Sequence, residues 1–304
     1  MKKCSTPAQK NQKYIAIFLA ATMFLSVFVV YFGGSNTDAS EGEDLEVSGE
    51  AQPPMISFYQ IPGKQVQHEF DSIADGLAMS PDGLVSARYI NLQKTKGTPF
   101  ESVPSEQQTM YYLYGGDLTK RYMADYLDGR HIELHQTAEP KIGMPRNVSQ
   151  YDGYQLFART NESYDIWNVV GNPVIFGSKE NVKSVINVLE GNSSSGAGNF
   201  DSLLNYAEPN GAIFQEVVKR DIFVSIPAEK WYKDLKKLDD GSYSQTSIFL
   251  NPDAELTAQM NIMGANCSER GVDYNITEYE GNITKLIITA DFESLNNETA
   301  MIMA

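Results

Sequence analysis

From residue 55 onward, short apolar runs alternate with polar stretches punctuated by Gly and Pro, the pattern of a mixed helix-and-strand domain. MISFYQ (55–60), GLVSARYINL (83–92), MYYLYG (110–115), HIELH (131–135), YQLFA (154–158), PVIFG (173–177) and AIFQEVV (212–218) read as strands. The turn Ser80-Pro81-Asp82-Gly83 leads into the second of these. Three segments predict helices. In DLTKRYMADYL (117–127), Leu118, Tyr122 and Tyr126 fall on one helical face and Asp128-Gly129 stops the run. After Ser178, a suitable cap, Val182, Val185, Ile186 and Leu189 follow the i, i+3, i+4, i+7 spacing, and Gly191 ends the helix. Pro227 opens the third helix, with Trp231, Leu235 and Leu238 on one face. Residues 93–107 and 136–150 read as loops, and 191–199 as a flexible connection.

The chain then predicts four consecutive strands, 242–250, 254–263, 272–279 and 285–292. In the second, Leu256, Ala258, Met260 and Ile262 alternate with Glu255, Thr257, Gln259 and Asn261. A period of two with short connections describes an antiparallel meander with one buried and one wet face. The expected class is therefore α+β: antiparallel sheet with a C-terminal four-strand meander and a few packed helices. KRYMADYLDG (120–129) echoes KWYKDLKKLDDG (230–241), which points to two similar halves near 55–150 and 151–304.

The beginning of the chain follows a different pattern. Residues 14–32 (YIAIFLAATMFLSVFVVYF) carry no charge and are apolar on every face. As a helix this run would span about 28 Å, a bilayer's hydrocarbon thickness, so the α+β domain is expected behind an N-terminal transmembrane helix. Its length, with Tyr31 and Phe32 at its end, fits a retained anchor better than a cleaved signal peptide. Residues 33–54 (GGSNTDASEGEDLEVSGEAQPP) read as a flexible acidic tether of about 25 Å.

Charge orients this arrangement. The formal net charge is -15, but Lys2, Lys3, Lys10 and Lys13 precede the apolar run, and no acid does. From residue 33 onward, 20 basic residues face 39 acidic ones, a net of -19. The positive-inside rule places residues 1–13 in the cytoplasm and 55–304 outside, in a single-pass cell-membrane protein. So acidic a body repels phosphate backbones, and nucleic acid is not an expected partner. The two cysteines, Cys4 and Cys267, then lie on opposite sides of the membrane and cannot pair within one chain.

N-x-S/T sequons supply an independent indication. They occur at Asn147, Asn161, Asn192, Asn266, Asn275, Asn282 and Asn297, all beyond the apolar run, where composition alone predicts about 2.5. N-glycosylation of an external domain is the expectation.

Chemistry is sparse. G-x-S-x-G, a P-loop, H-E-x-x-H, paired C-x-x-C and an EF-hand loop are missing from the sequence, and Gly196-Ala197-Gly198 reads as linker. The one constellation is His131-Ile132-Glu133-Leu134-His135. On a strand His131, Glu133 and His135 share a face, with Ile132 and Leu134 toward the core. Two imidazoles and a carboxylate are ligands for zinc or a similar divalent ion, with His68 as a distant fourth. The outer two lie about 13 Å apart at Cα, too far to close one tetrahedral site by themselves.

The lysine-led apolar run, the acidic tether, IPGK (61–64) and DGLAMSPDGLVSARYINL (75–92) together resemble membrane-anchored extracytoplasmic surface proteins of methanogenic archaea. PVIFGSKENVKSVINVLEGNSSS (173–195) resembles a strand–helix unit of extracytoplasmic domains. The resemblance implies a cell-envelope setting and carries no activity, cofactor or site residue. Three readings stand: a non-catalytic surface glycoprotein with a binding or envelope role, a metal-binding protein or metal-dependent ectoenzyme using the HIELH strand, and an accessory subunit of a membrane complex.

Overall fold

The computed structural model describes residues 54–101, 113–159, 165–221, 226–265 and 267–302. The apolar run at 14–32, the tether to residue 53, Asn161 and Asn266 lie outside the described residues. Among those described, no helix is long and apolar enough to cross a membrane.

Twelve strands form one sheet. In chain order they are β1 (Leu84–Asn91), β2 (Leu118–Tyr126), β3 (His131–Thr137), β4 (Asn147–Tyr151), β5 (Tyr154–Ala158), β6 (Trp167–Val169), β7 (Val174–Gly177), β8 (Phe214–Lys219), β9 (Lys230–Lys237), β10 (Tyr243–Leu250), β11 (Asp273–Tyr279) and β12 (Ile283–Ala290). The spatial order is β11-β12-β10-β9-β8-β1-β2-β3-β7-β6-β5-β4, antiparallel throughout. Met55–Ser57 pairs with Lys141–Gly143, and Val66–Gln67 with Gly171–Asn172, as small flanking ladders. The helices that pack on the sheet include α1 (Ile73–Met79), α2 (Lys179–Leu189), α3 (Ala254–Ala265) and α4 (Phe292–Ile302). The α+β class with an antiparallel sheet is thus the observed one.

The helix pairs sit on opposite faces. Ile248 belongs to the core built around α1 and α2, whereas its neighbour Phe249 belongs to the core under α3 and α4. Adjacent strand residues point to opposite faces, so the two cores lie on the two sides of the sheet. The start of α1 is explained locally. Ser72 accepts from the Asp75 N–H while the Asp75 carboxylate reaches back to the Ser72 N–H, a capping box. Gly76 lets α1 lie directly on the Tyr122 ring, since a Cβ there would fall 2.2 Å from a ring carbon. Helix α2 starts and stops as the sequence predicts. The Ser178 side chain accepts from the Asn181 N–H, Val182, Val185 and Ile186 are buried, and Gly191 takes φ +74.

Several expectations are corrected. Residues 117–127 are not a helix but β2, because a spacing of four also fits a strand face. Tyr122, Ala124 and Tyr126 line one side while Thr119 and Arg121 are buried on the other. The helix expected after Pro227 is β9, a strand between β8 and β10 that buries Tyr232 and Asp234 on one face and Leu235 on the other. The strand expected at 254–263 is α3. Its buried residues are Leu256, Met260 and Met263, at i, i+4 and i+7, while Ile262 is 63% exposed, so the alternation was incidental. Ala, Glu, Leu, Gln and Met in that stretch also favour helix. The C-terminal four-strand meander is therefore replaced by β10, α3 and the β11–β12 hairpin, with β12 inserted beside β10. Residues 136–150 are not one loop: they hold Lys141–Gly143 and most of β4. Strand 55–60 ends at Ser57 in a 3-10 turn, and of the strand expected at 110–115 the described Leu113 and Tyr114 are helical.

The sequence echo takes a new meaning. KRYMADYLDG lies on β2 and KWYKDLKKLDDG on β9, each the strand next to the central β1–β8 pair, and each ends in an Asp-Gly turn with a left-handed glycine, Gly129 and Gly241. Strand order is mirrored about β1–β8, though α2 and α4 occupy opposite faces. Residue 150, the expected boundary between the halves, lies in β4, and the twelve strands run as one sheet through the β1–β8 pair.

Candidate functional site: a closed charge network on the HIELH strand

HIELH does form a strand, and its central place between β2 and β7 decides its chemistry. Ile132 and Leu134 face the α1–α2 core as expected. The opposite face, however, opens to solvent only at its His131 end, where the His131 and Asp125 side chains are 41% and 40% exposed. Glu133 is 1% and His135 0% exposed.

Register brings partners to each residue. His131 lies directly opposite Asp125, and His135 opposite Arg121, so odd-numbered residues of both strands share one face. Arg121 Nε donates to Glu133 Oε2 at 2.8 Å, and His135 Nε2 meets the same oxygen at 2.7 Å. The other carboxylate oxygen takes His131 Nε2 at 3.1 Å, while His131 Nδ1 reaches Asp125 Oδ1 at 2.7 Å. Tyr114, itself fully buried, bonds His135 Nδ1 at 2.7 Å, and Phe176 stacks on the His135 ring with centroids 5.4 Å apart.

Burial and pairing fix the protonation states. Burial pushes the Glu133 carboxyl upward, but Arg121, His131 and His135 outweigh it and hold it well below the usual carboxylate range. Burial also lowers His131, yet the hydrogen bonds and charges of Asp125 and Glu133 bring it up to about 9, so it is a cation at neutral pH. His135 is lowered, first by burial, and is neutral. Its Nε2–H then donates to Glu133, leaving Nδ1 to accept from the Tyr114 hydroxyl, whose own ionisation burial pushes far up. Within the cluster, Glu133 pairs with Arg121 and His131, and Asp125 pairs with His131.

This accounting bears on the metal reading. A ligand imidazole must offer a lone pair. His131 has none while protonated, and that of His135 is taken by Tyr114. The fourth candidate, His68, stands apart. Its Nδ1 lies 2.7 Å from the Glu69 carbonyl, in an open cleft that Asp71, Gln136 and Asn172 also line. Among the described residues no group of three or more His, Cys, Asp or Glu is arranged to hold a metal ion. Chemically, the cluster can neutralise and order a buried face of the sheet; coordination would require dismantling it. At neutral pH, millimolar Zn²⁺ or Ni²⁺ should leave the melting temperature of the purified protein within about 1 °C, since only binding to the folded state raises it. A metal-dependent rise measured by differential scanning calorimetry would refute that.

Arg121, Asp125 and Tyr114 were missed by sequence reasoning. Taking 117–127 as a helix hid the first two; Arg121, Met123 and Asp125 alternating opposite His135, Glu133 and His131 was the available signal. Nothing in the sequence pointed to Tyr114.

Residues 69–190 match the model of a family described as an N-terminal domain. The match, under half of the chain, spans α1 and β1–β7 and stops at Glu190, just past α2, so it coincides with the half of the sheet that holds the charge network. No curated protein and no solved structure matches the chain.

Proposed function

We propose that the chain is a single-pass, membrane-anchored, N-glycosylated surface protein whose α+β domain stands outside the cell and serves a non-catalytic binding or envelope role. The observation that carries this reading is the placement of the sequons. Asn147, Asn192, Asn275, Asn282 and Asn297 are all exposed, on two strands, two turns and one helix, although each belongs to a densely packed body. A glycan needs an asparagine that reaches solvent, and a threefold excess of sequons offers one in every described case. The uncharged 14–32 run and its preceding lysines supply the anchor and its orientation. The closed state of the HIELH cluster supports a structural part for the one constellation that resembled a catalytic centre. An envelope setting also fits the resemblance to archaeal surface proteins.

Extraction of native membranes tests the reading. The protein should remain in the pellet through alkaline carbonate and enter solution with detergent, and its glycopeptides should carry sugar on the exposed asparagines. Release by carbonate, together with sugar-free peptides, would overturn it.

A further inference from the structure

A sheet of twelve strands that does not close on itself has two edges, and each edge strand of this one carries a sequon. Strand β4 (NVSQY) ends the sheet on one side and begins with Asn147; β11 (DYNITEY) ends it on the other and has Asn275 near its centre. None of the other ten strands of the sheet contains a sequon asparagine.

Open edges invite a further strand, and soluble proteins block them with charge, proline, bulges or a covering element. Strand β4 has no charged residue and no proline, and Val148 is 48% exposed. Among the described residues no strand pairs with its outer side. The tight turn at Asp152-Gly153, both with positive φ, sets the pairing with β5, so alternate backbone groups of β4 face outward. The Val148 N–H is one of these: it donates to its neighbour's Asn147 Oδ1 at 2.8 Å. Strand β11 is also paired on one side alone, with β12, and Asn275 is exposed, but Asp273 and Glu278 already put charge on that edge. A strand added at either edge would lie about 4.8 Å away and bring its side chains within about 5.5 Å of the asparagine. The first sugar of a glycan occupies that space.

We propose that a glycan on Asn147 keeps the uncharged β4 edge of the sheet from pairing with a second copy of this chain. This rests on the glycoprotein reading above. The test uses the full chain, made in its own membrane, solubilised in mild detergent and sized by sedimentation velocity across a hundredfold concentration range. Native protein should stay at the monomer mass. Asn147→Gln and Ser149→Ala, which remove the same sequon by different routes, should each shift the mass toward twice that value, whereas Asn275→Gln, on the edge that Asp273 and Glu278 already charge, should remain monomeric. Asn192→Gln and Asn297→Gln, which lie outside the edge strands themselves, should remain monomeric. Adding Gln150→Lys to Asn147→Gln puts a charge on the bare edge and should restore the monomer. Asn147→Gln and Ser149→Ala proteins that stay monomeric would overturn the proposal, as would association equally strong in Asn192→Gln or Asn275→Gln. Peptide mass spectrometry separates the two readings: sugar on other sequons with Asn147 bare overturns this inference alone, whereas no sugar anywhere overturns the glycoprotein reading itself.

Discussion

Replacing Glu133 with alanine should destabilise the domain by about 3–5 kcal/mol, the usual cost of removing one partner from a buried ion pair. The loss is large because Glu133 is the hub: one oxygen serves Arg121 and His135, the other His131. Without it, the buried His135 imidazole and the Arg121 guanidinium, only 9% exposed, each lose a short bond to a carboxylate that is itself 1% exposed. Urea unfolding followed by circular dichroism would measure the change, and a drop below 1 kcal/mol would mean that water or another carboxylate takes over. The same network gives a pH signature. His131 titrates near 6.5 when unfolded and at about 9 when folded. A raised pKa contributes stability fully below the unfolded value and loses it as pH rises through the folded one. The difference in urea midpoint between native protein and His131→Gln should therefore be widest below pH 6.5 and close as pH passes about 9. A difference that grows with pH would show His131 to be neutral in the folded state.

Tyr122→Ala should cost a further large amount, about 3–5 kcal/mol, by leaving a cavity the size of a ring. Tyr122 is fully buried where α1 crosses β2, and its hydroxyl lies 2.8 Å from the Ser80 hydroxyl at the end of α1. Gly76 makes that contact possible. Gly76→Ala gains helix propensity but drives a methyl into the ring, for a net loss of about 1–3 kcal/mol. In the double variant the methyl enters space vacated by the ring, so the combined loss should be smaller than the sum. Additive losses would mean that the two residues do not share that space.

The HIELH strand itself, its two core residues and the common face of His131, Glu133 and His135 were legible in the sequence, because period two is unambiguous over five residues. So was α2, whose cap, apolar stripe and terminal glycine agree. What was not legible is what covers the far side of the strand. Spacing of four in 118–126 satisfies both a helix and a strand face, and only pairing with β1 and β3 decides between them. The same ambiguity, with the opposite outcome, turned 254–263 from apparent strand into α3. Because β2 was unreadable, a set of apparent metal ligands could not be seen as one side of a satisfied ion network. Tyr114, brought in from outside the strand pair, completes that network through a long-range contact that no local pattern encodes.

The central claim is one of sidedness: residues 1–13 within the cell and the folded domain outside it. The two cysteines report this directly, because Cys4 precedes the apolar run and Cys267, free and half-buried, follows it. Intact cells treated with a small membrane-impermeant maleimide should be labelled at Cys267, with Cys4 reacting only after the membrane is opened. Labelling of Cys4 in intact cells, or of Cys267 only after lysis, would contradict the account.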